Sequence, residues 1–357
     1  MKNGDQSKIA NFAAKVITQN ISSLQKAIQG FQKRNNIEDI HDLRVSSRRI
    51  QVALEIFRQY LPFKKSKGWE NSIRRLTKSF GDARDLDVQL NFIQSFYGKN
   101  NDSILKPGGR RLILRLNQRR EKLQRLLQKT LAELNKDRTL QKMLDVFQIP
   151  VAETELAFTP EPSLYQLSFD VINKRLDEFL FFEIYLPYPD HVKELHLMRI
   201  AAKRLRYTLE IFSSLYEERL ENPLNVSRAI QTNLGDIRDC DVWLDYLPNF
   251  LEKEKSRVME YFGNPRPYRR LVPGVQMLLE NRRVERGSLY DAFLQNWRKW
   301  HQAEIWPTLR KTIFNPVLGN PKANNSSSPV QPIQRQAETK PLPPATLKLP
   351  GNPDEEQ

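Results

Sequence analysis

The stretch HDLRVSSRRIQVALEIF, residues 41–57, recurs 155 residues later as HLMRIAAKRLRYTLEIF, residues 196–212. Seven of these 17 positions are identical. A second block, FGDARDLDV at residues 80–88, matches LGDIRDCDV at residues 234–242 with six identities in nine positions. Because the two blocks keep their order and nearly the same offset, they predict an internal duplication of a unit of about 150 residues.

The rest of the chain favours helices. One helical face in residues 111–128 carries Leu112, Leu116, Leu123 and Leu127, which is the spacing of an amphipathic helix. Proline-containing breaks are predicted at residues 62, 107, 162, 187–189, 223, 248 and 265–267. We predict an all-α body of about eight to ten helices in residues 1–314, with halves at about residues 8–150 and 160–314.

The charge lies in this body. The chain has 57 Lys+Arg against 42 Asp+Glu, a net charge of +15. In residues 315–357 four cations cancel four acids, so the whole excess belongs to residues 1–314. The segment 315–357 also holds nine of the 22 prolines and is predicted to be a disordered tail. A basic body of this kind is expected to attract polyanions such as nucleic acid, phosphate polymers or anionic lipid surfaces.

Several classes of protein are excluded by composition. Cys240 is the single cysteine, so neither an internal disulfide nor a cysteine-rich zinc site is expected. The longest apolar stretch, residues 179–186, is too short to span a bilayer, and the first residues do not resemble a secretory signal. We therefore expect a soluble cytoplasmic protein with no cofactor, no bound metal and no membrane partner.

Each copy of the first block predicts a helix with an apolar face opposite a narrow cationic stripe. The stripe comprises His41, Arg44 and Arg48 in the first half, and His196, Arg199, Lys203 and Arg206 in the second. A run of charge is usually a solvated face. A duplicated structure needs to retain only its apolar positions, however, so the retained cations indicate a shared anionic ligand.

A second basic helix supports this hypothesis. Residues 106–129 contain nine cations and one acid, and one face carries Arg111, Arg115, Arg119, Lys122 and Arg125. Its counterpart is predicted to be the helix with Arg282, because LNQRR at residue 116 resembles LENRR at residue 279. Arg74 corresponds to Arg228 at the 154-residue offset, whereas Lys78 is replaced by Thr232.

The D-x-R-D-x-D element, at residues 82–87 and 236–241, has two interpretations. Its Gly and Asp could end one helix and cap the next while the other carboxylates orient arginines. Three acids within six residues could instead hold Mg²⁺. We favour capping and arginine orientation, because Arg84 and Arg238 lie within the predicted ligand site.

The motif H-x-x-R-x-x-x-(R/K)-R, followed some 40 residues later by G-D-x-R-D-x-D-V, occurs twice in order. This pattern resembles the conserved histidine α-helical domain (CHAD) over about residues 8–312. The resemblance implies two four-helix-bundle halves related by pseudo-two-fold symmetry, with a basic cavity or channel between them that binds inorganic polyphosphate. It implies that one side is lined by His41, Arg44, Arg48, Arg74 and Arg84. It implies that the other is lined by His196, Arg199, Lys203, Arg206, Arg228 and Arg238.

The full predicted site adds residues from the motif and the basic helices. These are Arg49 and Arg204, which end the two copies of the motif, and Lys78, Arg111, Arg115, Arg119 and Arg282. The resemblance is to a stand-alone CHAD protein, because the E-x-E-x-K motif of the triphosphate-processing domain often fused to this family is missing. Gln51 stands where the second half has Arg206, so the two sides are expected to contribute unequally.

We therefore expect a non-catalytic polyphosphate-binding protein that associates with polyphosphate granules. Binding should strengthen as the pH falls toward about 6 through His41 and His196, since nearby anions favour imidazolium. RNA or single-stranded DNA is the main alternative ligand. A metal-dependent phosphohydrolase is less favoured, because the His41-Asp42 dyad becomes His196-Leu197 in the second half.

Overall fold

The computed structural model describes residues 3–34, 36–61, 63–99, 102–147 and 161–318. These residues form eleven α-helices, three short 3-10 helices and no β-strand, so the predicted all-α fold is confirmed. Most of the predicted seam between the halves, at residues 148–160, lies outside the described residues. The last helix continues to Leu318, past the predicted body boundary at residue 314, and the rest of the predicted tail is also outside them.

The helices fall into two series along the chain. In the first half, α1 spans Asn3–Arg34, α2 Ile37–Ile56, α3 Phe63–Gly98, α4 Lys106–Lys136 and α5 Thr139–Val146. In the second half, α6 spans Pro162–Leu180, α7 Val192–Tyr216, α8 Glu221–Phe262, α9 Arg266–Arg269, α10 Val272–Gln302 and α11 Ile305–Leu318. No described helix combines the length and the apolar composition that a membrane-spanning segment needs.

Local sequence signals explain several helix ends. The Asn36 side chain accepts a hydrogen bond from the Asp39 backbone N–H and so caps α2. Both α4 and α10 carry a proline in the first turn, where the missing N–H removes no helical bond. At the C-terminal end of α8, Gly263 has a φ of 66° and ends the helix in the left-handed conformation that glycine adopts readily.

The break predicted at Pro248 is wrong. Pro248 lies inside α8, which runs through it as a helix of 42 residues. A proline in a helix interior removes one backbone hydrogen bond. Leu247 and Phe250 are buried on either side of it, so packing of this segment offsets the loss.

Corresponding helices of the two halves meet. Within each half, successive long helices pack on each other, α1–α2–α3–α4 in the first and α6–α7–α8–α10 in the second. The principal contacts between halves join α1 to α6, α2 to α7 and α4 to α10. Phe57 and Phe212, the last residues of the two repeat copies, contact each other edge to face at 6.2 Å between ring centroids. This is the arrangement expected of two repeated halves.

The apolar side chains form two cores, and each core takes helices from both halves. The larger core involves α1, α2, α6 and α7 together with parts of the long helices. The smaller core is a four-helix bundle built from one segment each of α3, α4, α8 and α10. These four helices have 31–42 residues, whereas α2 and α7, which pack against α3 and α8, have 20 and 25. Their outer segments extend beyond the shorter helices and pack on one another.

In the smaller core, α4 and α10 approach each other closely at two glycines. A Cβ atom on Gly108 would lie 2.5 Å from the carbonyl oxygen of Leu271. A Cβ atom on Gly274 would likewise collide with the carbonyl oxygen of Leu105. The two helices therefore pack backbone against backbone here, as only glycine allows.

Candidate polyanion-binding site

The structure brings together one cation from each predicted stripe. The stripe helices α2 and α7 pack against each other. Arg44 of α2 lies close enough to Arg199 of α7 for the two guanidinium groups to repel each other, while Asp85 and Asp239 attract Arg199. These four groups come from α2, α3, α7 and α8, so both halves contribute to one cluster of charged side chains.

Arg199 is the most constrained of these cations. Its Nε atom is buried and has no hydrogen-bond partner among the described residues. Its pKa is lowered chiefly by burial, and repulsion from Arg44 and Arg238 adds to this effect. A buried donor without an acceptor is costly, and a bound anion would supply the acceptor.

A glycine lies under the arginine on each side. Glycine 81 of α3 would place a Cβ atom 3.8 Å from Nε of Arg44, and Gly235 of α8 would place one 3.5 Å from Nε of Arg199. Both α3 and α8 run uninterrupted through the G-D-x-R-D-x-D motif. The predicted helix ends and caps in this motif are therefore wrong. A mid-helix glycine weakens a helix, and a Cβ atom at either position would make only ordinary van der Waals contact with the arginine.

Asp239 sets the local charge of this place. Its side chain reaches solvent, yet burial among protein atoms raises its pKa to about 6. Attraction to Arg199 opposes the shift, and repulsion from Asp85 and Asp236 adds to it. The site therefore gains positive charge when Asp239 is protonated.

The last aspartate of each motif orients an arginine. Asp87 accepts a hydrogen bond from Nε of Arg120 at 2.7 Å, and Asp241 accepts one from Nε of Arg286 at 2.5 Å. The last aspartates of the motif do orient arginines, but these are Arg120 and Arg286 rather than Arg84 and Arg238. These two ion pairs make Arg120 of α4 equivalent to Arg286 of α10. The sequence match of LNQRR with LENRR instead pairs Arg120 with Arg283, three residues earlier.

Beside the stripes, Glu210 gathers three predicted site residues. It accepts hydrogen bonds from Arg49 at 3.3 Å and Arg206 at 3.2 Å, and Arg228 lies 3.7 Å from it. The cluster borders a groove of about 700 Å³ between α1, α2, α7 and α8, which Lys15 also lines. One carboxylate faces several cations, so the groove retains a positive excess.

Metal and thiol chemistry find little support in the described residues. No group of three or more His, Cys, Asp or Glu side chains in the described ranges is placed to hold a metal ion. Cys240 is buried, and burial above all raises the pKa of its thiol to about 11. A thiol with such a pKa is protonated at neutral pH and is a poor nucleophile.

A model of the CHAD domain family matches residues 15–248, about two thirds of the chain. The chain belongs to the CHAD domain family. Solved structures with a similar fold include the following two. The CHAD domain from the plant Ricinus communis is similar with a TM-score of 0.54 at 18% identity, over 87% of this chain and 92% of that chain. PptA from Streptomyces chartreusis is similar with a TM-score of 0.52 at 15% identity, over 81% of this chain and 99% of that one. No curated protein matches the chain.

The basic helix of this CHAD domain lies partly away from the stripes. Arg111 and Arg115 of α4 donate to Glu254 at 2.7 Å each, and Arg257 donates to the same carboxylate at 2.5 Å. Glu254 is fully buried, which alone would raise its pKa, but these hydrogen bonds outweigh burial and lower it. Glu254 lies 19 residues after Gly235 on α8, or about 28 Å along the helix. Arg111 and Arg115 therefore stabilise the smaller core.

Arg282 is also a structural residue here. Its side chain is buried, and its guanidinium group lies 4.2 Å from the centre of the Phe92 ring. It donates hydrogen bonds to Asn281 and Glu285. Because Phe92 belongs to the first half, Arg282 joins the halves through a cation–π contact.

The remaining predicted residues differ in exposure. Partly exposed side chains on the stripes or motifs are His41, Arg48, Arg84, His196, Lys203, Arg204 and Arg238. Exposed side chains are Arg74, Lys78 and Arg119. The first group lies on the helices that carry Arg44, Arg199 and the two motifs, within five residues of Arg44, Arg199, Gly81 or Gly235.

Several residues that shape the site were missed by sequence analysis. Glycines 81 and 235 stood in the repeated motif, but their contact with the stripe arginines depends on tertiary packing. Glu210 corresponds to Glu55 in the first repeat copy, so the residue type is the same in both. Its role in the groove is revealed only by the arginines that it binds in the structure. Lys15 lies on α1 outside the repeated sequence blocks, and no sequence signal pointed to it.

Proposed function

We propose that this CHAD protein binds inorganic polyphosphate without turning it over, and that it associates with polyphosphate granules. The observation that carries the proposal is the pair formed by Arg44 and Arg199. Two arginines from different halves repel each other, and one has a buried donor without an acceptor among the described residues. A phosphate between them would relieve both penalties at once.

The surrounding cations suit a polymer of phosphates. Arginine offers planar, bidentate hydrogen bonds to phosphate oxygens. The Glu210 groove adds further arginines beside the stripes, so adjacent phosphates of one chain could each meet a cation. Membership in the CHAD family supports this ligand, since the resemblance implies polyphosphate binding.

The aromatic side chains favour polyphosphate over nucleic acid. Proteins that bind single strands stack bases on exposed rings beside cations. The repeat aromatics Phe57 and Phe212 are fully buried, and Tyr207 is 4% exposed with the Arg206 guanidinium over its ring at 4.3 Å. None of these three rings is available to a base.

The absence of turnover is part of the proposal. His41-Asp42 is the only arrangement in the sequence that resembles a phosphohydrolase dyad. The other histidines that could complete a metal site lie elsewhere, since His191 is beside Glu194 at 3.5 Å and His301 is beside Glu183 at 3.9 Å. Orthophosphate released from polyphosphate would contradict this part of the proposal.

The test is a binding competition at fixed salt. Long-chain polyphosphate, tripolyphosphate, orthophosphate and single-stranded RNA are titrated against the full chain while phosphate release is monitored. Arg44→Gln with Arg199→Gln should weaken long-chain binding by at least about tenfold, since each loses charge-assisted hydrogen bonds. Arg283→Gln is the control, because this exposed residue pairs with Glu280 on the surface of its own helix, and it should retain the affinity. Tighter binding of RNA, or full affinity in the double variant, would overturn the proposal.

A further inference from the structure

The end of α8 exposes a cluster of large apolar side chains. Met259 is 42% exposed, Tyr261 82% and Phe262 52%. The rings of Tyr261 and Phe262 contact each other with centroids 4.8 Å apart. Single exposed apolar side chains are common on proteins, but a contiguous group at one protruding end marks an interaction surface.

The loop between α3 and α4 adds to this surface. Ile104 in that loop is 63% exposed. The next residue, Leu105, packs through its carbonyl oxygen against Gly274 near the start of α10, and α10 follows α8 and α9 directly. Residues 102–106 and 259–272 therefore lie at the same end of the smaller core, and we call the two together the apolar tip.

Cations surround the apolar tip. Residues 252–270 carry six cations and three acids, and residues 98–111 carry four cations and one acid. One of these acids, Glu254, is buried and bound by Arg115 and by two of the counted cations, Arg111 and Arg257, so eight cations remain against three acids. Three exposed arginines lie in α9 or directly after it, namely Arg266, Arg269 and Arg270. None of them forms an ion pair with a residue in the described ranges.

We propose that the apolar tip docks this protein onto the surface of an anionic lipid bilayer. Tyrosine and phenylalanine favour the interface between headgroups and acyl chains, where a ring meets an apolar layer at its body and water at its edge. Arginines at the same depth attract the phosphates and carboxylates of anionic lipids. The sequence predicted no membrane partner, but contact with a bilayer surface needs no spanning helix.

The composition of the tip separates this ligand from two others. Nucleic acid would use rings for stacking, yet half of the exposed apolar side chains, Ile104 and Met259, are aliphatic and have no ring. A second copy of this chain would bring the arginines of two tips together, and like charges in contact oppose association. A lipid interface accepts aliphatic and aromatic side chains alike and supplies the opposite charge.

The test is co-sedimentation of the full chain with vesicles. Phosphatidylcholine vesicles with phosphatidylglycerol should carry the protein down, whereas phosphatidylcholine alone should not. Tyr261→Ser with Phe262→Ser should reduce the bound fraction by about tenfold, because two rings no longer enter the interface. Arg269→Gln with Arg270→Gln should weaken binding and reduce its dependence on salt.

The control is Phe181→Ser with Tyr188→Ser, which removes two exposed aromatic side chains, at 56% and 55% exposure, from a surface with Glu183 and Asp190. It should bind vesicles as the wild type does. All variants should keep the affinity for polyphosphate, which shows that they are folded. Undiminished vesicle binding by both tip variants would overturn the proposal. So would a tip variant that loses RNA binding or self-association in sedimentation velocity while vesicle binding is unchanged.

Discussion

The ionisation state of Asp239 changes the net charge beside Arg44 and Arg199, where the two halves meet. With its pKa raised to about 6, it is mostly ionised at neutral pH and attracts Arg199 in place of a ligand. Protonation removes that negative charge, so polyphosphate should bind more tightly as the pH falls through about 6. Asp239→Asn should raise the affinity at neutral pH and flatten this part of the profile, as measured by titration calorimetry over a pH series. Asp245→Asn, an exposed position on the same helix, should keep the wild-type profile.

The same residue affects the stability of the free protein. Its folded pKa lies above the ordinary value of 3.8, so its contribution is present below that value and is lost as the pH rises through about 6. Asp239→Asn should therefore raise the melting temperature of the ligand-free protein above pH 6. The variant His41→Gln with His196→Gln separates the contribution of Asp239 to the pH dependence of binding from the contribution predicted for the two histidines. If that variant shows no pH dependence near 6, Asp239 is not a source of it.

At the scale of elements, the crossing of α4 and α10 depends on its glycines. Gly274→Ala should destabilise the domain by about 1–3 kcal/mol, because the new methyl group must push apart two backbones. Gly287→Ala in the same helix is the control, since a Cβ atom there would meet nothing within 4 Å. That change should be neutral or stabilise by about 0.5–1 kcal/mol. Chemical denaturation measures both, and equal stability of the two variants would contradict the close crossing.

Sequence periodicity could predict the helices and which faces of them carry charge. Leu112, Leu116 and Leu127 are fully buried as their spacing indicated, and both stripes lie on the helices where they were expected. The role of Gly81 and Gly235 could not be predicted, because it depends on a contact between helices distant in sequence. The failure at Pro248 has the same origin, since tertiary packing on both sides outweighed the local signal.

The predicted set of site residues extends beyond the cluster around Arg44 and Arg199 for a related reason. Charge and helical face placed Arg115 and Arg282 with the stripes, but neither property specifies the position along a long helix. Arg115 lies near the outer end of the smaller core beside Glu254, and Arg282 is covered by Phe92. An arginine of a basic protein is held in a structural ion pair, or left for a ligand, according to acids that lie far from it in sequence.

At the scale of the molecule, the proposed polyphosphate site and the apolar tip lie on one continuous helix. Gly235 contacts Arg199 at one position of α8, and Tyr261 comes 26 residues later, about 39 Å along the helix. Exposed charges that far apart are screened from each other, because the Debye length at physiological salt is about 8 Å. The two anionic ligands should therefore occupy the protein together.

Simultaneous occupancy predicts a ternary complex. Vesicles containing phosphatidylglycerol repel polyphosphate and should not sediment it alone, but they should carry it down once the protein is added. Arg44→Gln with Arg199→Gln should still sediment with vesicles but leave polyphosphate in the supernatant. Tyr261→Ser with Phe262→Ser should leave both in the supernatant, still bound to each other. If polyphosphate instead releases the wild-type protein from vesicles at equimolar amounts, the two ligands share one surface, and α8 does not separate two sites.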